Sequence, residues 1–375
     1  MKTQTQDGQG FSLLELMVSM AVGLIVMAAM ASLFRTGLNS TMLVTQRAET
    51  QQNMRAAIDL IVKDISLAGA GLPSGGLQLP TGPGTTAAKF GCDQGGTCHV
   101  VNFNYPTGNY MYGIIPGFSN GVEAGAVIPA APGAINDSIT VIYADYNFPL
   151  WEYNVTFPAA PDGTSICLTP NSTYAPAPPL PNASGGIQQG DLILINGTNG
   201  VSVVGEATNV SATSISFANT DPLNFNFSKT AGITNNVYAA SGGAGYACPP
   251  PVVAPQTTQG TAYRLYAVTY YLTVPAAGQT PRLMRQVNGL APVPVADDIV
   301  NLQFAYDTYN STVTPAVLDP NQANPIGVGE SPNNIQKINI VVMGQSVINN
   351  GNKSQNMYLA TSVSARNMAF RNRYQ

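Results

Sequence analysis

The run from Gly10 to Phe34, GFSLLELMVSMAVGLIVMAAMASLF, constrains the fold of this chain more than any other stretch. From Phe11 onward about 24 residues carry one charge, Glu15, and at 1.5 Å rise each a helix of them spans roughly 36 Å, enough for a bilayer core. The run therefore predicts a membrane-crossing helix. A carboxylate inside such a span costs roughly 2.5–3.5 kcal/mol at its centre and less toward an interface, so Glu15 calls for a partner.

The residues ahead of the run are polar and end in Gly10, and a cut after Gly10 would free the amine of Phe11. An amine can neutralise a carboxylate. Gly, then Phe, then Glu five residues into the new chain, all opening an unbroken apolar helix, resembles the type IV prepilin family, including the pseudopilins of type II secretion. The resemblance implies that a membrane aspartyl peptidase cuts between Gly10 and Phe11 and methylates Phe11. It also implies that Glu15 pairs with the N-terminus of a neighbouring subunit. Its implied partners are the prepilin peptidase, other pilins or pseudopilins, and inner-membrane lipid before assembly.

Orientation follows from the same resemblance: a cytoplasmic leader, a periplasmic domain, and the cell surface once a pilus has assembled. The positive-inside count points the other way, because Lys2 precedes the span while Arg35, Arg47, Arg55 and Lys63 follow it. A competing reading takes Ala29-Met30-Ala31 as an ordinary signal-peptidase site, with a mature chain from Ser32. Ordinary signals have a basic leader and an apolar run of roughly 7–15 residues, whereas here Asp7 offsets Lys2 and the run is longer.

Beyond Phe34 the pattern turns amphipathic. Leu43, Met54, Ile58, Ile61 and Ile65 recur at helical spacing, with Gln46, Arg47, Glu49, Gln52, Arg55, Asp59 and Lys63 on the wet side. Gly37 and Asn39-Ser40-Thr41 predict a bend, and Gly69, Gly71 and Pro73 a stop, giving a helix from Phe11 to Ala68. The stretch QQNMRAAIDLIVKDISLAGAG resembles the corresponding part of the PilW-like minor pilins.

Charged residues make up 9% of the chain, against roughly 25% in typical soluble domains, and Gly, Pro, Asn, Ser and Thr take their place. That composition favours strands, turns and long loops. Strands are expected at residues 138–144, 151–157, 191–196, 201–207, 214–218, 263–274, 282–287, 299–306, 335–344 and 357–365. Gly197 to Gly200 reads as a hairpin turn. Residues 72–136, 158–186 and 241–260 are Gly- and Pro-punctuated, the first being either an ordered insertion held by Cys92 and Cys98 or a mobile lobe. The class is α+β: a long helix packed on antiparallel sheets with long Gly/Pro-rich loops. The expected units are a leader (1–10), a transmembrane and assembly half-helix (11–34), an amphipathic half-helix (35–71) and an exported β-rich domain (72–375). YRLYAVTYYLT, PRLMRQVNG and PVADDIVNLQFAYD follow the strand order of PilW-like or J-type minor subunits.

Four cysteines, Cys92, Cys98, Cys167 and Cys248, lie past the span and admit three pairings if all are oxidised. The short loop CDQGGTC favours Cys92 with Cys98, which leaves Cys167 for Cys248; buried free thiols are the alternative. His99 is the chain's only histidine, no close C-x-x-C pairs supply zinc ligands, and no EF-hand spacing is present, so no metal or other cofactor is expected. Asp297-Asp298 reads as a turn or strand edge rather than a proton-sharing pair, because neighbours in a strand face opposite ways. Arg366, Arg371 and Arg373 beside Phe370 and Tyr374 read as a solvated terminus. A net charge of −4 gives no general basic surface for nucleic acid.

The reading is thus a structural subunit without catalytic residues: a minor pilin of a type IV pilus. Its rivals are a minor pseudopilin of type II secretion and a pilus-borne adhesin that binds through the irregular regions 72–136 and 158–186.

Overall fold

The computed structural model describes residues 12–73, 76–79, 87–105, 110–128, 136–158, 164–198, 200–226, 248, 259–276, 279–310, 313–315, 317–325, 331–348 and 353–371. A single helix, α1 (Leu13–Leu67), opens the fold. It runs unbroken through the predicted bend, since the Thr41 hydroxyl donates back to the Gly37 carbonyl (3.0 Å), as Thr36 and Thr45 do to Ser32 and Thr41. Hydroxyls satisfied inside the helix leave no competing turn to break it. Gly69 and Gly71, at φ +76° and +73°, take the chain out of the helix.

The strands follow in chain order. β1 (Leu77–Gln78), β2 (Tyr110–Met111) and β3 (Ile114–Gly117) lie in the first Gly-rich region. β4 (Ser138–Asp145), β5 (Tyr153–Thr156), β6 (Ser165–Pro170), β7 (Leu192–Gly197), β8 (Ser202–Glu206), β9 (Asn209–Val210) and β10 (Ser214–Ser216) make up the middle. β11 (Gly260–Thr273), β12 (Arg282–Val287), β13 (Val293–Asp297), β14 (Ile299–Asn310), β15 (Val317–Gln322), β16 (Ile335–Ile348) and β17 (Lys353–Ser364) complete the set, and a short helix α2 (Arg366–Arg371) follows.

Two sheets carry the domain. The larger runs β13-β12-β11-β5-β6-β10-β9, with β4 and β7 also on β11, β3 on β4, and β8 on β7; the smaller runs β15-β14-β16-β17. All of these pairings are antiparallel. The expected 197–200 turn closes the β7–β8 hairpin, with the Gly197 amide donating to the Val201 carbonyl (2.8 Å).

Two of the strand expectations need correction. The strand predicted from Trp151 starts instead at Tyr153, because Leu150–Glu152 forms a 3-10 turn after Pro149, closed by the Glu152 amide on the Pro149 carbonyl. The ring fixes Pro149 near a helical φ, so the turn forms ahead of the ladder. Residues 158–186 contain β6, which pairs β5 and β10 through the apolar alternation of Ile166 and Leu168. Of the two alternatives for 72–136, the described residues form the ordered insertion: Leu72, Leu77, Phe90, Cys92, Val100 and Met111 share a core with Leu192, Leu194, Leu265 and Tyr271.

The second half of α1 supplies the other main core. Met54, Ala57, Ile58, Ile61 and Ile65 pack on Tyr143, Val268 and Tyr270 of the larger sheet and on Leu302, Phe304, Ile338, Ile340 and Val342 of the smaller. Each buried Met, Ile, Val, Leu or Phe among them contributes about 1.5–3 kcal/mol by leaving water. The helix comes so close to β16 that a Cβ on Gly344 would stand 2.6 Å from the Thr50 methyl.

Candidate functional site

Gly10 and Phe11 lie outside the described residues. From Ser12 to Met42 every side chain of the chain is exposed, and among them stand Leu13, Leu14, Leu24, Ile25, Leu33 and Phe34. The 22-residue piece Leu13–Phe34 is about 33 Å long at 1.5 Å per residue, and α1 is the helix long and apolar enough to cross a membrane. Glu15 lies in its first turn, where the Glu15 and Leu16 amides both donate to the Ser12 carbonyl. An apolar rod with every side chain outward has to be covered by lipid or by other helices.

The domain grips this rod through charge as well as apolar packing. Asp64, at 2% exposure, accepts from the Tyr143 hydroxyl (3.0 Å), the Tyr270 hydroxyl (2.6 Å) and Arg285 Nε (2.9 Å). The Asp64 charge and hydrogen bond hold the Arg285 guanidinium above its usual range, although burial pulls the other way. A second buried ion group lies between β4, β7 and β11: Arg264 donates to Asp145 (Nε, 2.6 Å) and to the Gly186 carbonyl (2.8 Å), with Asp191 at 3.7 Å.

A third polar cluster joins the β8 end to the loop before residue 226. Glu206, fully buried, accepts from Gln94 and from the Leu223 amide, while Asp221 accepts from the Phe225 and Asn226 amides (2.6 and 3.1 Å). Burial first, then the charge of Asp221, pushes the Glu206 carboxyl up to about 8; burial pushes Asp221 up to about 6 against those amide donors. Between the ordinary value of 4.5 and about 8 the folded chain keeps a Glu206 proton that the unfolded chain has lost. Stability from this group is therefore full at low pH and lost as pH rises through that window, at up to about 1.4 kcal/mol per pH unit. Denaturant titrations of the full chain in detergent should show this fall, and Glu206→Gln should flatten it; an unchanged slope in the variant would contradict the assignment.

His99 is buried. Its Nδ1 meets Glu123 Oε1 at 2.6 Å, Nε2 meets Asp93 Oδ2 at 3.4 Å, and the ring stacks on Tyr271. Both ring nitrogens face carboxylates, and the Thr273 hydroxyl bonds Glu123 instead of the histidine. The arrangement has no nucleophile on the imidazole, which a hydrolytic triad requires. Among the described residues no group of three or more His, Cys, Asp or Glu is placed to hold a metal ion. Cys92 is joined to Cys98, and Cys167 to Cys248. Asp297 pairs with the Arg282 guanidinium at a strand end, and Asp298 turns the chain at φ +63°. Of the terminal cluster, Arg366 is exposed on α2, while Arg373 and Tyr374 lie outside the described residues.

Against this geometry, the family model for the prokaryotic N-terminal methylation motif matches residues 7–31. The chain carries a prepilin-type N-terminus. That motif supports a type IV pilin- or pseudopilin-like protein and implies cleavage by a prepilin peptidase and assembly with other pilins. With α1 it fits inner-membrane anchoring of a folded domain. No curated protein and no solved structure matches the chain.

Sequence reading missed Asp64, Arg285, Arg264, Glu206 and Asp221. Only Asp64 left a signal: it falls three residues after Ile61 on the apolar stripe, where a carboxylate has to find partners.

Proposed function

We propose that the chain is a PilW-like minor pilin of a type IV pilus, with a cytoplasmic leader, an inner-membrane helix and a periplasmic domain before assembly. The observation that carries the reading is one continuous helix whose first half is apolar and wholly exposed and whose second half is locked into a large domain. Force or displacement applied to the exposed half would reach the domain through a rigid rod. In the assembled bundle Glu15 takes the Phe11 amine of an adjacent subunit, and the bulk of the β-rich domain favours a place at or near the filament tip. The protein works by assembly, with no chemistry of its own; the saturated nitrogens of His99 favour that view. A minor pseudopilin would share the helix, and the genes beside this one, pilus motor and secretin or type II secretion, separate the two.

Processing is the direct test. Mass spectrometry of the native N-terminus should find a methylated chain beginning at Phe11. A chain beginning at Ser32 would mean that the Ala29-Met30-Ala31 site is used and would end the filament reading.

A further inference from the structure

The smaller sheet ends on β17, and among the described residues no strand pairs with its outer edge. β17 is 12 residues long, free of proline, and carries no charge from Ser354 to Ser364. The other free edges are short or guarded. β3 and β13 contain Pro116 and Pro294, β8 and β9 have five and two residues, and β15 holds Asp319, Pro320 and Asn321 at φ +57°. A long, unbulged, uncharged edge offers its amides and carbonyls as a template for another strand.

The direction of β17 limits what can fill that edge. Arg47 bonds Gln355, Gln51 reaches Met357, and the Ser66 carbonyl accepts from Asn367 just past the strand, so α1 and β17 run parallel. Met357, Leu359 and Val363 pack toward the helix, while Asn356, Tyr358, Ala360 and Ser362 face out. Two copies can bring their β17 edges together only by a half-turn. A half-turn about the sheet normal pairs the strands antiparallel and reverses one helix; a half-turn about the strand pairs them parallel and puts the helices on opposite faces. Neither leaves two helices side by side and pointing the same way, as a shared membrane or helix bundle requires. A head-to-tail contact with β15 of a second copy would keep the helices parallel, but Pro320 lacks the amide that the ladder needs.

We propose that the β17 edge pairs antiparallel with an edge strand of a different helix-bearing subunit, one whose N-terminal helix packs parallel to α1. The proposal rests on assembly through α1, as argued above. Helix contact along residues 13–46 would bring the partner's domain beside Arg47 and Gln355, where β17 begins. The partner strand runs antiparallel to its own helix and is free of proline over the paired residues.

The test uses the full chain in membranes, co-expressed one at a time with each chain of the same genome that bears a Gly cleavage site, an apolar helix and a glutamate five residues in. A benzophenone amino acid is placed at position 358 or 360, and separately at Leu24 within the helix. The expected result is a cross-link from both β17 positions to one strand of one such chain, with the partner position falling as the β17 position rises. At the neighbouring positions Thr361 and Ser362 one amide points into β16 and the other outward. Of Thr361→Pro and Ser362→Pro, the variant that keeps the wild-type unfolding profile should cut the β17 cross-link at least tenfold. A β17 cross-link only between two copies, one without register, or one that survives the tolerated proline overturns the proposal. So does a Leu24 cross-link with none from β17, which leaves assembly through the helix standing. Loss of both cross-links overturns the underlying assembly reading as well.

Discussion

Asp64→Ala is expected to destabilise the folded domain by about 3 kcal/mol. The carboxylate takes the charge of Arg285 and the hydroxyls of Tyr143 and Tyr270 at one point between α1 and the larger sheet. Removing it takes the acceptor from both hydroxyls and leaves Arg285 Nε with only the Tyr270 hydroxyl, at 3.2 Å. The cost sits at the lower end of the roughly 3–5 kcal/mol range for breaking a buried pair, because the Arg285 side chain is 21% exposed and can regain some water. Asp64→Asn keeps an acceptor for a tyrosine but turns an amide toward the guanidinium, so it should recover less than half of the loss. Asp64→Leu combined with Arg285→Met removes both charges and should be more stable than Asp64→Ala alone. Chemical denaturation of the full chain in detergent reads all three, and an Asp64→Ala midpoint within error of wild type would show that the cluster does not fasten the helix.

The same cluster shows where sequence reading stops. Periodicity is a local signal, so the helix, its stop at Gly69, the β7–β8 hairpin and the long strands β11, β14, β16 and β17 were legible from neighbouring residues. The N-terminal motif is local as well, and the methylation-motif family model matches it over residues 7–31. Asp64, by contrast, finds its partners 79, 206 and 221 residues away, and no spacing rule reaches across that distance. The Glu206 and Asp221 pair depends on a loop that folds back to offer the Leu223, Phe225 and Asn226 amides. His99 packs against Tyr271 and two carboxylates, contacts that its place in a Gly-rich loop does not reveal. Short strands such as β3 and β6 escaped because their alternation covers too few residues to stand out among glycines and prolines.

Glu15→Ala is expected to abolish incorporation while leaving membrane insertion intact. Loss of a charge makes the exposed half of α1 more apolar, so lipid holds the variant at least as well as wild type. In the bundle the outcome reverses. An incoming amine that meets no carboxylate is an uncompensated buried charge, a penalty of roughly 3–5 kcal/mol, or about two to four orders of magnitude in occupancy. Glu15→Gln keeps the shape and some hydrogen bonding without the charge, and it should fail as well if the pairing is ionic. A carboxylate that merely lies near the interface and reaches water would behave differently, because both variants would then assemble normally. Tagged variants, checked for cleavage at Phe11 and for membrane fractionation, are scored by co-purification with the other pilin subunits. Wild-type incorporation of correctly processed Glu15→Ala would rule out pairing with the neighbouring N-terminus, and the exposed apolar face of Leu13–Phe34 would then have to carry assembly by packing alone.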